Sequence, residues 1–214
     1  MSIAMPRMDR LSPTERGITI ADFLVPIRVA EPLNVRMRHI ALIVAGALVV
    51  YLSALIVVPL GFTPVPITGQ TFGVLLVGGA LGFRRGFASV ALYVLVGLVG
   101  VPFFAENKGG VDVILGATGG YLVGFIIAGA IVGKLAELGW DRRLAGSVAA
   151  MLVGSLVIYA VGVPWLAVVA GFGPSEAIEK GLAPFLIGDA IKLLAAAAVF
   201  PAAWWVVGRR PGDR

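Results

Sequence analysis

Pro184-Phe185-Leu186-Ile187-Gly188-Asp189-Ala190-Ile191-Lys192-Leu193-Leu194-Ala195-Ala196-Ala197-Ala198-Val199-Phe200-Pro201-Ala202-Ala203-Trp204-Trp205-Val206-Val207 is an apolar run with two charges inside it. At about 1.5 Å per helical residue it is roughly 36 Å long, enough to cross a bilayer core of about 30 Å. Each charge at mid-bilayer costs about 2.5–3.5 kcal/mol on insertion scales. Asp189 and Lys192 stand i, i+3, so they share a helix face and can meet. One reading is a self-neutralising pair that helps a helix pack. The other is a ligand site facing the interior of a bundle. Ionisable residues inside a membrane mark solute paths by default, so the second reading leads.

Working outward, the composition agrees. Of 214 residues, 59% are apolar and 14% charged, with no cysteine and one histidine. A soluble domain is nearer a quarter charged. The chain reads as an integral membrane protein with little left for an aqueous domain. Without cysteine there is no disulfide frame, thiolate metal site or thiol nucleophile. His39 sits at a helix start beside Arg36 and Arg38, which removes a histidine metal cluster and a Ser–His site. The net charge of +5 raises the question of nucleic acid. The basic residues lie at segment ends, however, which points to membrane orientation and not to nucleic acid.

Along the chain, residues 1–35 are polar and broken by prolines, a cytoplasmic tail. Ser12-Pro13-Thr14-Glu15 has the form of a capping box before a short surface helix that ends ahead of Pro26. The rest, 36–214, reads as one domain of six spans: Ile40–Leu60, Thr68–Phe83, Phe87–Val101, Gly116–Val132, Gly146–Ala170 and the charged run above. Arg84-Arg85-Gly86 is the turn between the second and third. Val111–Leu115 is too short to cross, and Ser175 is placed to cap a single turn before Gly181. Gly116, Gly120, Gly124 and Ala128 form a small-residue stripe that suits a centrally packed helix, and Ala41 and Ala45 form a shorter one.

Six spans put both termini on one side. The tail, the Arg84 turn, the Lys134–Arg143 connection and the C-terminus hold all of the 17 lysines and arginines except Lys108, Lys180 and Lys192. The positive-inside rule then places both termini in the cytoplasm and the loops 61–70, 102–115 and 171–183 outside. Asp189 comes out roughly 8 Å deep from the outer side.

Catalytic chemistry is missing. Gly129 to Lys134 is one residue short of a phosphate loop, with Leu135 in place of the hydroxyl residue, and it lies in a span. No carboxylate cluster suits a divalent metal. The chain is expected to be neither an enzyme nor a cofactor protein, and to lack an ATPase of its own.

Four stretches, in this order, resemble the BioY family, the biotin-specific substrate-binding (S) components of energy-coupling-factor (ECF) transporters. They are Thr63-Pro64-Val65-Pro66-Ile67-Thr68-Gly69-Gln70-Thr71 with Leu81-Gly82 and Arg85-Gly86; Gly97 to Ala105; Gly116-Ala117-Thr118-Gly119-Gly120-Tyr121 to Phe125; and Gly188-Asp189-Ala190-Ile191-Lys192. Two features depart from the pattern: Ala117 stands where a proline is expected, and the N-terminal tail is long. The resemblance implies a six-helix subunit of the cell membrane that captures biotin from outside. It also implies a transmembrane coupling (T) protein and cytoplasmic ATPases as partners, with Ala41 and Ala45 on the face that docks the coupling protein.

Biotin offers a ureido ring with two N–H donors, an apolar body and a carboxylate. An anionic Asp189 suits a ureido N–H, and Lys192 an anionic or carbonyl oxygen. Gln70, Thr118, Asn107 and Tyr121, on outer loops and helix starts, are the further candidates, although each would also serve as an ordinary cap or loop residue. Phe103 and Phe104 would cover the ligand or anchor the interface. Two other readings stay open: a solitary facilitated transporter of biotin or another vitamin, and a structural or assembly protein whose ion pair only fixes helix register.

Overall fold

The computed structural model describes residues 19–24 and 32–207. The expected capping box at Ser12–Glu15 and the basic residues Arg209, Arg210 and Arg214 lie outside them. The elements in order are α1 (Ile20–Leu24), α2 (Pro32–Ala54), β1 (Val57–Val58), β2 (Ile67–Thr68), α3 (Gln70–Leu98), α4 (Val111–Leu115), α5 (Gly119–Glu137), α6 (Leu144–Ala170), α7 (Pro174–Gly181) and α8 (Leu186–Val207). The architecture is all-helical apart from one two-stranded ribbon, in which Val57 pairs with Thr68 and Val58 with Ile67. Among the described residues, five stretches are long and apolar enough to cross a membrane: Val35–Ala54, Gln70–Leu98, Gly119–Glu137, Leu144–Ala170 and Pro174–Trp205.

The stretch Gln70–Leu98 is not one rod. Gly82 has φ 79 and ψ −178, a conformation that a residue with Cβ rarely takes. A continuous helix would hold Gly78 and Gly86 about 12 Å apart. Instead a Cβ built on Gly86 would lie 3.0 Å from the Gly78 Cα. Gln70 and Tyr93, which such a helix would hold roughly 34 Å apart, share a hydrogen bond of 2.6 Å. The chain therefore folds back at Gly82. The sequence reading put this turn at Arg84-Arg85-Gly86, but those residues already belong to the second limb. Its first free N–H, on Phe83, is accepted by Glu137 Oε1 at 2.9 Å.

Helix α5 lies between α3 and α6, where Gly124 meets the Ile158 backbone and Gly129 that of Gly78. A Cβ on Gly78 would fall 2.6 Å from the Gly129 carbonyl oxygen, so no side chain fits at this crossing of the two helices. Val74, Val90, Tyr93, Val132, Met151, Ile158, Leu166 and Phe200 fill the core, while Leu52, Leu156, Val168 and Ile191 point outward. Helix α2 packs on α3 through Ala47, Val50 and Ala54, leaving Ala41 and Ala45 exposed on its other side.

Some boundaries move for local reasons. Helix α2 ends at Ala54, before Pro59, because Val57 and Val58 are claimed by the ribbon. Helix α5 starts at Gly119 and runs five residues past Val132. Helix α7 is capped at Gly173 with Pro174 at its first position, so Ser175 lies inside it and does not cap it.

Candidate functional site

At the end of the bundle where α3 and α5 begin, a cavity of about 340 Å³ opens. Pro64, Val65 and Pro66 form one wall and Phe104 to Asp112 another, and the starts of α3, α5 and α8 with Ile158 and Tyr159 of α6 close the rest. All three of the connections expected on one side meet here. Thr63 Oγ1 donates to the Lys180 carbonyl at 2.9 Å, and Tyr121 OH donates to the Gly181 carbonyl at 2.7 Å, tying 171–183 to the other two.

Asp189 and Lys192 both line the cavity and pair at 2.9 Å across one turn of α8. Their other bonds reach different helices. Lys192 Nζ also donates to the Thr68 carbonyl at 2.7 Å and to Thr71 Oγ1 at 3.2 Å, which uses all three ammonium protons. Asp189 accepts from Thr71 Oγ1 at 3.3 Å and, through its other oxygen, from Tyr159 OH. The pair is thus held by α3, by α6 and by the ribbon strand before α3. It is close to neutral as a unit, and every bond it makes is to a group that also faces the cavity.

Of the other candidates, Gln70, Thr118 and Tyr121 line the cavity. Gln70 is buried between Thr68 Oγ1 at 2.9 Å and Tyr93 OH at 2.6 Å, an arrangement that orients its amide. Thr118 reaches back only to the Val113 carbonyl, at 3.5 Å. Asn107 is exposed and is not among the lining residues, although its neighbours Glu106 and Lys108 are. Phe104 is buried against Tyr93 edge-on at 5.7 Å and lines the cavity. Phe103 stacks on Tyr51 at 4.4 Å instead.

Sequence reasoning did not single out Tyr159 or the acidic and basic residues of the second wall. The signal for Tyr159 was available. Tyrosines in membrane helices favour the interfaces, so one in the middle of an apolar span needs a buried partner. The second wall carries Glu106, Lys108 and Asp112. Its turn is tight: Phe104 N–H donates to the Lys108 carbonyl at 2.9 Å, and Glu106 and Asn107 have φ of 60 and 55. Two consecutive left-handed residues that are not glycine store strain of the kind found at ligand clamps. The turn presents the Lys108 ammonium, whose side chain is 62% exposed and paired with Glu106 at 2.5 Å.

The family model of the BioY family matches residues 28–209. The biotin transporter BioY of Rhizobium etli is 39% identical over 159 residues, which is 71% of this chain and 84% of that protein. The biotin transporter BioY of Thermotoga maritima is 44% identical over 162 residues, 74% of this chain and 87% of that protein. Among solved structures, the S-component for biotin from an ECF-type ABC transporter superposes with a TM-score of 0.75 at 25% identity. That match covers 82% of this chain and 95% of the other. With the charged helix, the cavity and the order of the motifs all in agreement, the chain belongs to the BioY family.

Proposed function

We propose that this chain is the substrate-binding subunit of a biotin uptake system. It captures biotin in the cavity and hands it inward with a transmembrane coupling protein and cytoplasmic ATPases. The observation that carries the reading is the Asp189–Lys192–Tyr159–Thr71 network facing a largely apolar cavity of about 340 Å³. That volume suits a small organic molecule, and a few convergent polar groups in an apolar wall are what fix a ligand's orientation. The protein is a transporter component and not an enzyme.

The reversal at Gly82 supports counting Gln70–Leu98 as two passes, which makes six in all. Six passes and the distribution of basic residues support cytoplasmic termini, a multi-pass protein of the cell membrane, and a cavity that opens outward. The cytoplasmic segment then ends ahead of α2, whose start at Pro32 moves the expected 35/36 boundary, and the membrane domain follows. Ala41 and Ala45, exposed on α2, would meet the coupling protein.

Donor counting orients the ligand. Lys192 already spends its charge on Asp189, and that carboxylate repels a second one. The ureido ring therefore goes to Asp189, Lys192 and Tyr159, where hydroxyl and carboxylate partners can be exchanged for ring N–H and carbonyl groups. The carboxylate goes to Lys108, whose ammonium bonds only Glu106 among the described residues and so has donors to offer.

Titration calorimetry of the detergent-solubilised protein should give nanomolar biotin binding, about −12 kcal/mol. A response to thiamin or riboflavin but not to biotin would refute the assignment. Ala45→Trp should keep that binding and abolish concentrative uptake in cells that express the coupling proteins, because an indole would hold two helix backbones apart. Wild-type uptake in a host without coupling proteins would instead make this a solitary carrier.

A further inference from the structure

At the end of the bundle away from the cavity, Asp22 on α1 sits in a notch formed by two arginines. Arg85 NH1 and NH2 donate to its two carboxylate oxygens, each at 2.8 Å, the parallel fork that suits a carboxylate. Arg38 NH2 adds a third bond at 3.1 Å and reaches the Ala21 carbonyl at 3.2 Å. Thr19 completes the shell through its N–H at 3.1 Å and its hydroxyl at 2.8 Å. The arginine side chains are only 8% and 12% exposed, and Arg38 Nε is buried without a hydrogen-bond partner among the described residues.

Arginine cannot shed its charge, so these two buried guanidinium groups require an anion. The arginines lie on α2 and on the second limb of α3, inside the stretch that matches the family. Their anion lies on α1, outside that stretch, which begins at residue 28. Apart from Arg38 and Arg85, α1 touches the bundle along α3 and α8, with Thr19, Ile20 and Ala21 buried. The receptor is thus part of the bundle, and its occupant is an attached strap.

We propose that the Arg38–Arg85 notch is a carboxylate receptor and that Asp22 is its exchangeable resident, holding in cis the place an acidic side chain of the coupling protein takes in the assembled transporter. This rests on the subunit reading above for the identity of the partner, though not for the receptor itself. The strap is then an autoinhibitory contact, because docking must first displace it.

Two measurements on full-length protein test this. In the first, thermal unfolding is followed while sodium acetate replaces sodium chloride at constant ionic strength. Asp22→Ala should unfold several degrees below wild type, and acetate should restore part of the loss. The double variant with Arg85→Met should not respond to acetate. No acetate effect on Asp22→Ala, or failure of that variant to fold in either salt, would overturn the receptor. In the second, Asp22→Asn is co-expressed with the transmembrane coupling protein and ATPases of the same source. Co-purification should rise several-fold over wild type, and equal or lower recovery would reduce the strap to a structural clasp. Biotin titration of the same samples separates the two ideas. Unchanged binding is expected, whereas a wild-type protein that ignores biotin would sink the subunit reading and leave the acetate result standing.

Discussion

Two ion-paired clusters stand at opposite ends of the described bundle, and they differ in what lies beside them. At the cavity end, Asp189 and Lys192 belong to one helix turn and share partners with α3, α6 and the ribbon. At the other end, Asp22, Arg38 and Arg85 come from three elements. Both clusters have their carboxylate oxygens paired, although Arg38 Nε in the second has no hydrogen-bond partner among the described residues. The first adjoins about 340 Å³ of open volume, and none of the residues of the second line it. A saturated cluster beside a cavity can pass its bonds to a ligand without unpairing a charge. A cluster with no such volume beside it can only hold elements together or exchange one anion for another.

The largest expected effect breaks the first cluster. Lys192→Ala leaves Asp189 without its cation in an apolar setting, which costs about 3–5 kcal/mol of stability when one partner of a buried pair is removed. Biotin affinity should fall at least about a hundredfold, roughly 3 kcal/mol. Removing both charges with Asp189→Ala/Lys192→Ala should give a protein more stable than the Lys192→Ala single variant, yet one that still does not bind. Calorimetry and thermal unfolding on the three proteins check this. Normal binding by the double variant would make the pair a packing device.

The two ends were not equally legible in the sequence. Asp189 and Lys192 were visible because a charge in an apolar span is costly enough to need a reason. The Gly82 reversal was half visible. The short second and third spans demanded a turn, but two arginines drew it three residues too far, and only a backbone φ of 79 reveals the true place. Tyr159 was hidden because a tyrosine carries little charge cost and its partner is 30 residues away. The arginine notch was hidden for a similar reason. Asp22 lies 63 residues from Arg85, and Arg85 read as an orientation signal. Long-range pairing between exposed-looking charges leaves no periodic mark on a sequence. The charges of the cavity's second wall were also missed, because Glu106 and Lys108 look like ordinary loop charges until the strained turn places them.

The next effect sharpens the contrast by pH. Asp141, in the short turn between α5 and α6, is buried. Its Oδ2 accepts from Trp204 Nε1 at 2.6 Å, and its Oδ1 has no hydrogen-bond partner among the described residues. Burial pushes its pKa up to about 6, against the opposing Trp204 hydrogen bond and the Arg142 charge. The folded pKa is above the ordinary 3.8, so the native state holds the proton more tightly. Stability should therefore rise as pH falls from about 6 to about 4, by about 3 kcal/mol, and Asp141→Asn should flatten that slope. Asp22 has the opposite sign. Burial works to raise its pKa, but hydrogen bonds from Arg85 and Thr19 outweigh it and hold the carboxyl well below its ordinary 3.8. Its contribution is present above that value and is lost as pH falls further. Thermal unfolding from pH 3 to 8 should thus peak near pH 4 to 5 in wild type. A curve that keeps rising through pH 7 would remove Asp141 as a buried, proton-holding group.

The smallest effect concerns the cavity's second wall and decides which way the ligand lies. Lys108 is exposed and its bond to Glu106 is a surface pair, worth about 0–1 kcal/mol. A ligand carboxylate can take the place of Glu106 at little cost, and the strained turn through Glu106 and Asn107 keeps the ammonium at the cavity. If the ureido ring occupies the Asp189 end, Lys108→Gln should weaken biotin about tenfold, or 1.4 kcal/mol. It should leave biotin methyl ester unchanged, because the ester has no charge for Lys108 to meet. Glu106→Gln frees the ammonium and should tighten biotin slightly, again without effect on the ester. Both effects should shrink at high salt, since the pair is open to solvent. Competition binding with the acid and the ester against one labelled ligand measures all four combinations. If Lys108→Gln weakens acid and ester alike, Lys108 packs the wall and does not read charge. If Lys108→Gln changes neither while charge selectivity persists, the carboxylate lies at Lys192, and the ligand is reversed in the cavity.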